Sequence, residues 1–119
     1  MGGSISSVIK NTYGSNSLII NGHKQAIHNK NSFSYIDGRS YITISYKEAQ
    51  DLIDKNIDSG YHINAPTGNK VRINFKKIIG YYVDPASGQS YPTTIGIVHA
   101  SKTGCHLVPQ RPIGFKGGK

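Results

Sequence analysis

The chain has 119 residues, with 14 Lys plus Arg against six Asp plus Glu, a formal net charge of +8 and a hydrophobic content of 36%. That length supports one domain with a true core that needs no metal or disulfide staple, and the composition is that of a folded chain rather than a disordered one. The charge points to a polyanionic partner, nucleic acid first, without separating RNA from DNA or from an acidic protein. Cys105 is the only cysteine, which excludes an intramolecular disulfide and argues against a thiolate metal site. No run approaches the roughly 18 apolar residues a bilayer span needs.

Residues 1–17 are rich in Gly, Ser and Asn and read as a flexible linker. Met1-Gly2-Gly3-Ser4-Ile5-Ser6 fits a short N-myristoylation pattern, but a Gly/Ser-rich start reads first as a tether. From Leu18 to His28 a short apolar run leads into a helical turn or two, where Lys24 and His28 at i and i+4 would share a face. Tyr41–Ile44 reads as a brief extended stretch. Ser45 and Glu48 then form an S-x-x-E capping box, and Tyr46, Ala49, Leu52, Ile53 and Ile57 recur at helical spacing, so the pattern predicts a helix over 46–58 with Gly60 as a left-handed stop.

Beyond Gly60 the period changes to two. Lys70-Val71-Arg72-Ile73-Asn74-Phe75 alternates strictly and predicts a strand with Val71, Ile73 and Phe75 facing the core. Ile78–Val83 is nearly continuous in apolar and aromatic residues, as a central strand should be, and Asp84–Gly88 supplies turn chemistry. A third strand is expected over 91–101 and a fourth over 105–109. Residues 110–119, with Pro112 and Gly117-Gly118, read as a tail. Helices first and strands after predict an α+β domain over 18–109, an antiparallel meander packed on one or two helices.

Chemistry concentrates in His99–Pro109, where two imidazoles, a hydroxyl and an ammonium surround a Gly-containing turn. A two-residue or a four-residue loop would bring His99 and His106 to one face, and a three-residue loop would send them to opposite faces. Thr103-Gly104 favours an even loop. Cleaving RNA without a metal needs a base for the 2′-OH proton, an acid for the leaving 5′-oxygen and cations for the charged phosphorane. Histidine can serve as base or acid near neutral pH. Lys102, Lys24 and Arg39 can stabilise charge, and Ser101 with Thr93 or Thr94 can donate hydrogen bonds.

A two-metal nuclease needs several carboxylates at one point, yet Glu48 is expected as a cap and Asp51, Asp54 and Asp58 lie along one solvated helix, leaving only Asp37 and Asp84 in turns. The histidine spacings are not those of zinc sites. No cofactor is expected. His23 and His62 read as structural, whereas His28, His99 and His106 stand open between structure and catalysis. Tyr35, Tyr41, Tyr81, Tyr82 and Tyr91 fit either base stacking or core filling. Arg72 and Lys70 fit either phosphate contacts or a solvated strand face.

The blocks Ile20-Asn21, Lys24-Gln25 and His28, and then His99-x-Ser101-Lys102-x-Gly104-x-His106-x-Val108-Pro109, together resemble the polymorphic toxin type 50 domain. The helix from Glu48 to Ile57, Ile78-Ile79-Gly80 and Thr93-Thr94 also fall where that family places them, and the resemblance covers 18–109. It implies a ribonuclease toxin of the barnase, EndoU, colicin and RelE type, with N-terminal helices on a four-stranded antiparallel sheet. It implies delivery as the C-terminal domain of a larger secreted, contact-dependent or phage-associated protein, action in the target-cell cytoplasm, and neutralisation by an immunity protein. Electrostatics makes that partner acidic where it meets the cleft.

On matching positions the resemblance puts Lys24, Gln25 and His28 on the first helix and Thr94, His99, Ser101, Lys102 and His106 on the sheet. Ala100 departs from it, standing where an aromatic residue is expected. The combined expectation is metal-independent transesterification of RNA, tRNA among the candidates. The catalytic set is His28, His99, His106, Lys102, Ser101 and Thr94, and Lys24, Gln25, Arg39 and Arg72 bind substrate. The alternatives are a non-catalytic RNA-binding module built on the basic, tyrosine-rich sheet, and a DNase.

Overall fold

The computed structural model describes residues 3–115. Ser4 opens the first helix, α1 (Ile5–Tyr13), its hydroxyl accepting from the Ser7 amide. Ile5, Ile9 and Tyr13 repeat every four residues and turn toward the core, with Ile9 fully buried. The Ser6 amide donates to Asp58 Oδ1 and the Tyr13 hydroxyl to the Thr67 carbonyl. The expected linker over 1–17 is thereby corrected, since the small polar residues between these three rows masked an amphipathic helix. Ser17 and Leu18 are buried behind it.

The short α2 (Gly22–Ala26) stands where a helical turn is expected. Strand β1 (Tyr41–Ile42) leads to α3 (Tyr46–Asn56), which continues as a 3-10 turn over Ile57–Ser59. Ser45 caps α3 by accepting from the Glu48 amide, but only half of the capping box forms: the Glu48 carboxylate pairs with Lys77 instead. Gly60 has φ −80°, so it is not the left-handed stop expected of it; a Cβ there would lie 2.7 Å from Val71 Cγ1, and close approach is what requires glycine.

Six further strands follow: β2 (Tyr61–Ile63), β3 (Lys70–Asn74), β4 (Gly80–Val83), β5 (Ser90–Thr93), β6 (Ile95–His99) and β7 (His106–Pro109). They form two antiparallel sheets, ordered β1-β4-β5 and β2-β3-β6-β7. The fold is α+β with a four-stranded antiparallel sheet, but not the expected meander: the strand at Ile78–Val83 becomes β4, the centre of a separate three-stranded sheet, and β2 takes its place in the larger one. The single strand expected over 91–101 is two. At Thr94 the chain bends, Thr93 Oγ1 accepts from the Ile95 amide, and the Thr94 carbonyl accepts from Phe75, so β5 and β6 enter different sheets.

Val71, Ile73, Phe75, Val98 and Leu107 lie on one side of the larger sheet in a common core with Ile9, Ile53 and Ile57. At about 25 cal/mol per Å² of apolar surface removed from water, this face supplies the main driving force for folding. The tail expectation holds less far than its composition implies. Gln110 donates to the Ile95 carbonyl, and the Phe115 ring packs edge-on to Tyr82 and Tyr91 at 5.4 and 4.9 Å. Gly117-Gly118 lies outside the described residues.

Candidate active site

β6 and β7 pair in the register His99↔His106, the four-residue-loop alternative, so both imidazoles stand on one face. On the other side of β6, Lys70 pairs with His99, which makes a row Lys70–His99–His106 across three strands. The turn between β6 and β7 is held from outside. Gly104 has φ +120° and passes so close to the 19–21 segment that a Cβ would meet the Ile19 carbonyl oxygen at 2.7 Å. Cys105 exchanges backbone bonds with Ile19 and Asn21, both 2.8 Å. Asn21 also caps α2, its Oδ1 accepting from the backbone amides of His23 and Lys24 while its Nδ2 donates to the Thr103 carbonyl.

α2 is therefore hung from the turn between β6 and β7, and it delivers His28. Because the helix ends at Ala26, Lys24 and His28 do not share a helical face as expected; His28 lies one residue past the cap. Its Nδ1 lies 2.8 Å from the Ser40 carbonyl oxygen, a contact that needs the hydrogen on Nδ1 and leaves Nε2 with a lone pair. The His28 ring is parallel to His106 with centroids 5.6 Å apart and an interplanar angle of 9°. His106 stacks in turn on His99 at 4.7 Å and 24°. Three imidazoles from three elements form one ladder, with His106 in the middle.

Around it, Lys24 Nζ donates to Ser101 Oγ at 2.6 Å, and Ser101 donates to the Gly104 carbonyl and lies 3.2 Å from Thr103 Oγ1. Burial lowers the pKa of His99 to about 4, with Lys70 and His28 adding to the effect. His106 is also held at about 4, by burial first and then by His99, His28 and Lys24. His28 is lowered by burial, partly offset by the Ser40 carbonyl, with Arg39 acting in the same direction as burial. At neutral pH His99 and His106 are therefore uncharged, and His28 is shifted in the same direction. His99 Nε2 and His106 Nδ1 are buried without a hydrogen-bond partner, a cost a folded protein rarely carries without use.

Of the expected site residues, His28, His99, His106, Ser101 and Lys24 converge. Arg39 is exposed in the loop before β1, near enough to act on His28. Lys102 stands exposed at the tip of the turn, and the ammonium that touches Ser101 is that of Lys24. Arg72 shares the sheet face of His99, two register pairs further along, opposite Ile97.

Two expected members are corrected. Gln25 is fully buried, its amide donating to the Leu107 carbonyl at 2.9 Å and accepting from the Leu107 amide at 2.7 Å, which leaves no group for a substrate. Thr94 sits at the far end of β6 from His99, a separation of about 13 Å across that strand alone. Ala100 is buried in the core, so an aromatic ring there would pack inside rather than reach a ligand. His62 is structural as expected, its Nε2 bonded to the Gly68 carbonyl at 2.7 Å.

The sequence leaves Lys70 undecided, offers Asn21 only within a family block and Thr103 only as a turn residue, and does not point to Ser40. Ser40 and Asn21 act through contacts between distant segments, and only the cap pattern of Asn21 before Gly22 was readable in advance. Stacked rings direct their lone pairs side by side rather than at one point, which does not suit chelation. Among the described residues no group of three or more His, Cys, Asp or Glu is arranged to hold a metal ion. A larger cavity, about 530 Å³ between α1 and α3 and lined by Lys10, Leu18, Gln50, Ile53 and Asp58, contains no imidazole.

The fold and the site define a small α+β domain that gathers imidazoles, an ammonium and a hydroxyl where one face of its sheet meets a short helix. Residues 20–109 match the family described as bacterial toxin 50, and the chain belongs to that family of polymorphic toxin domains. The matched span runs from the segment before α2 to the end of β7 and takes in the whole ladder, while α1 lies outside it. No curated protein matches the chain. Among the described residues no helix is long and apolar enough to cross a membrane.

Proposed function

We propose that this toxin domain is an endoribonuclease that cleaves RNA, with tRNA a candidate substrate, by metal-independent transesterification. The reading rests on one observation above all: three imidazoles stacked in series, with His106 between His28 and His99, beside a Lys–Ser pair. Because each ring's charge lowers the pKa of the next, the ladder favours a single proton, and a bound phosphodiester would raise its proton affinity by placing an anion beside it. One protonated and one neutral imidazole are what the reaction consumes.

His28 suits the base, since its Nδ1–H is committed to Ser40 and its Nε2 lone pair can take the 2′-OH proton. The 2′-oxygen then attacks phosphorus, the bond to the 5′-oxygen breaks, and an imidazolium at His106 or His99 returns a proton to that oxygen. A 2′,3′-cyclic phosphate and a 5′-hydroxyl result. Lys24 and Ser101 would donate to the phosphorane oxygens, with Lys70, Arg39 and Lys102 drawing the strand in. Delivery as the end domain of a larger protein, action in the target-cell cytoplasm and neutralisation by an acidic immunity protein fit a toxin of this family.

Tyr41 and Tyr81 of the smaller sheet favour base contact whether or not the chain cuts, so a non-catalytic RNA binder is the competing reading. Incubating labelled bacterial RNA with the purified chain in EDTA separates the two. The expected result is shortened RNA ending in cyclic phosphate. RNA that is bound but unshortened would leave the binding module, and cleavage abolished by the chelator would overturn the metal-independent step.

A further inference from the structure

One peptide from the Ser40 carbonyl that holds His28, a pocket of about 180 Å³ opens whose lining includes Lys30, Tyr35, Asp37, Tyr41, Val83 and Ser90. We infer that this pocket is a nucleobase subsite, in which Tyr41 supplies the stacking surface and Asp37 accepts hydrogen bonds from the pairing edge of the base. The inference deepens the ribonuclease reading and rests on it for the identity of the ligand as RNA.

Tyr41 is paired in register with Tyr81, and their rings stack at 5.6 Å and 22°. Tyr35 meets Tyr41 edge-on at 6.0 Å. Lys30 Nζ lies 4.8 Å from the Tyr41 ring centroid, so a face of that ring is reached by a long, mobile side chain. A flat base can take that place and release the ammonium to a backbone phosphate. The pocket is also joined to the chemistry. The Ser40 carbonyl that holds His28 belongs to the peptide leading into Tyr41, and the Ser40 hydroxyl accepts from the Val83 amide on the pocket's other wall.

Asp37 is the informative residue. In a chain of net charge +8, a carboxylate beside an RNA path repels phosphate unless it meets donors, and among the described residues no cation pairs with it. A carboxylate offers two acceptor oxygens and no donor. Guanine presents two adjacent N–H donors on its pairing edge, adenine and cytosine one amino group, and uracil one imino group between two carbonyls. The chemistry orders the bases guanine, then adenine and cytosine, then uracil.

The test has two arms. In the first, 2′-O-methyl oligonucleotides, which cannot be cleaved, are titrated by fluorescence anisotropy. An oligoguanylate short enough not to self-associate should bind about ten- to a hundred-fold more tightly than its uridylate counterpart, and Asp37→Asn, an exposed substitution, should collapse that ratio. Tyr41→Ala should weaken all sequences about ten-fold or more, and Tyr41→Phe should restore binding. In the second arm, cleavage of unmodified RNAs with each base flanking one position should show the same preference. Base-selective binding lost in Asp37→Asn without any cleavage would support the subsite and sink the ribonuclease reading. Cleavage with no base preference, or a preference unchanged in Asp37→Asn, would overturn the subsite and leave the ribonuclease standing.

Discussion

The two sides of the four-stranded sheet are built from alternating residues of the same strands, yet they are held to different standards. On one side Val71, Ile73, Val98 and Leu107 are buried against the helices. On the other, Lys70, Arg72, His99 and His106 share the face with a buried Ile97 and a half-buried Val108, and two ring nitrogens there go unpartnered. Period-two geometry lets a strand spend every other residue on stability and the rest on chemistry. Adjacent residues on β7 therefore make the sharpest test.

His106→Ala is expected to reduce RNA cleavage by about 10²- to 10⁴-fold while barely moving the thermal midpoint, since it removes an orphaned polar atom along with the ring. Leu107→Ala should do the reverse, costing about 2–5 kcal/mol in urea unfolding while leaving turnover per folded molecule intact. If both variants lost stability alone, or activity alone, the division between the faces would collapse.

Gln25→Ala addresses a residue that sequence and structure place in different roles. It strands the Leu107 N–H and C=O, at about 1–3 kcal/mol for each group left unsatisfied. The KM for RNA should change by no more than about two-fold. A raised KM with unchanged stability would return Gln25 to the substrate.

The same rings also predict a dependence of stability on pH. His99 and His106 have folded pKa values of about 4 against an ordinary 6.5. Between those values the unfolded chain binds protons that the folded chain declines, so stability is flat above about pH 6.5 and falls as the pH drops toward 4. Urea midpoints measured from pH 7.5 to 5 should show this slope, and a His99→Ala, His106→Ala double variant should flatten it. An unchanged slope in that variant would mean the rings are not buried neutral.

Much of this architecture is readable from periodicity: the helix after Ser45, the alternation at Lys70–Phe75 and the even loop that unites His99 with His106. What was hidden is instructive. α1 was obscured because its stripe of Ile5, Ile9 and Tyr13 is set among Ser and Asn, and composition averages over the face that matters. The break at Thr94 was obscured because an apolar run does not reveal where a strand changes sheets. Gln25 was misassigned because a polar residue beside catalytic partners looks functional until its partners, 82 residues away, are known. The imidazoles were legible as a set, but the ladder itself depends on Ser40 and on the bridge from Ile20 to Cys105, contacts no local pattern announces.

That bridge has a wider consequence. β7 is the last strand of its sheet, and a bare terminal strand offers its free amides and carbonyls to the matching strand of any neighbouring molecule. Here the backbone at Ile20 and the single carboxamide of Gln25 occupy the outer rim of β7. The same few atoms that aim His28 at its neighbours thus also stop copies of the protein from zipping together along the margin nearest their own reactive groups.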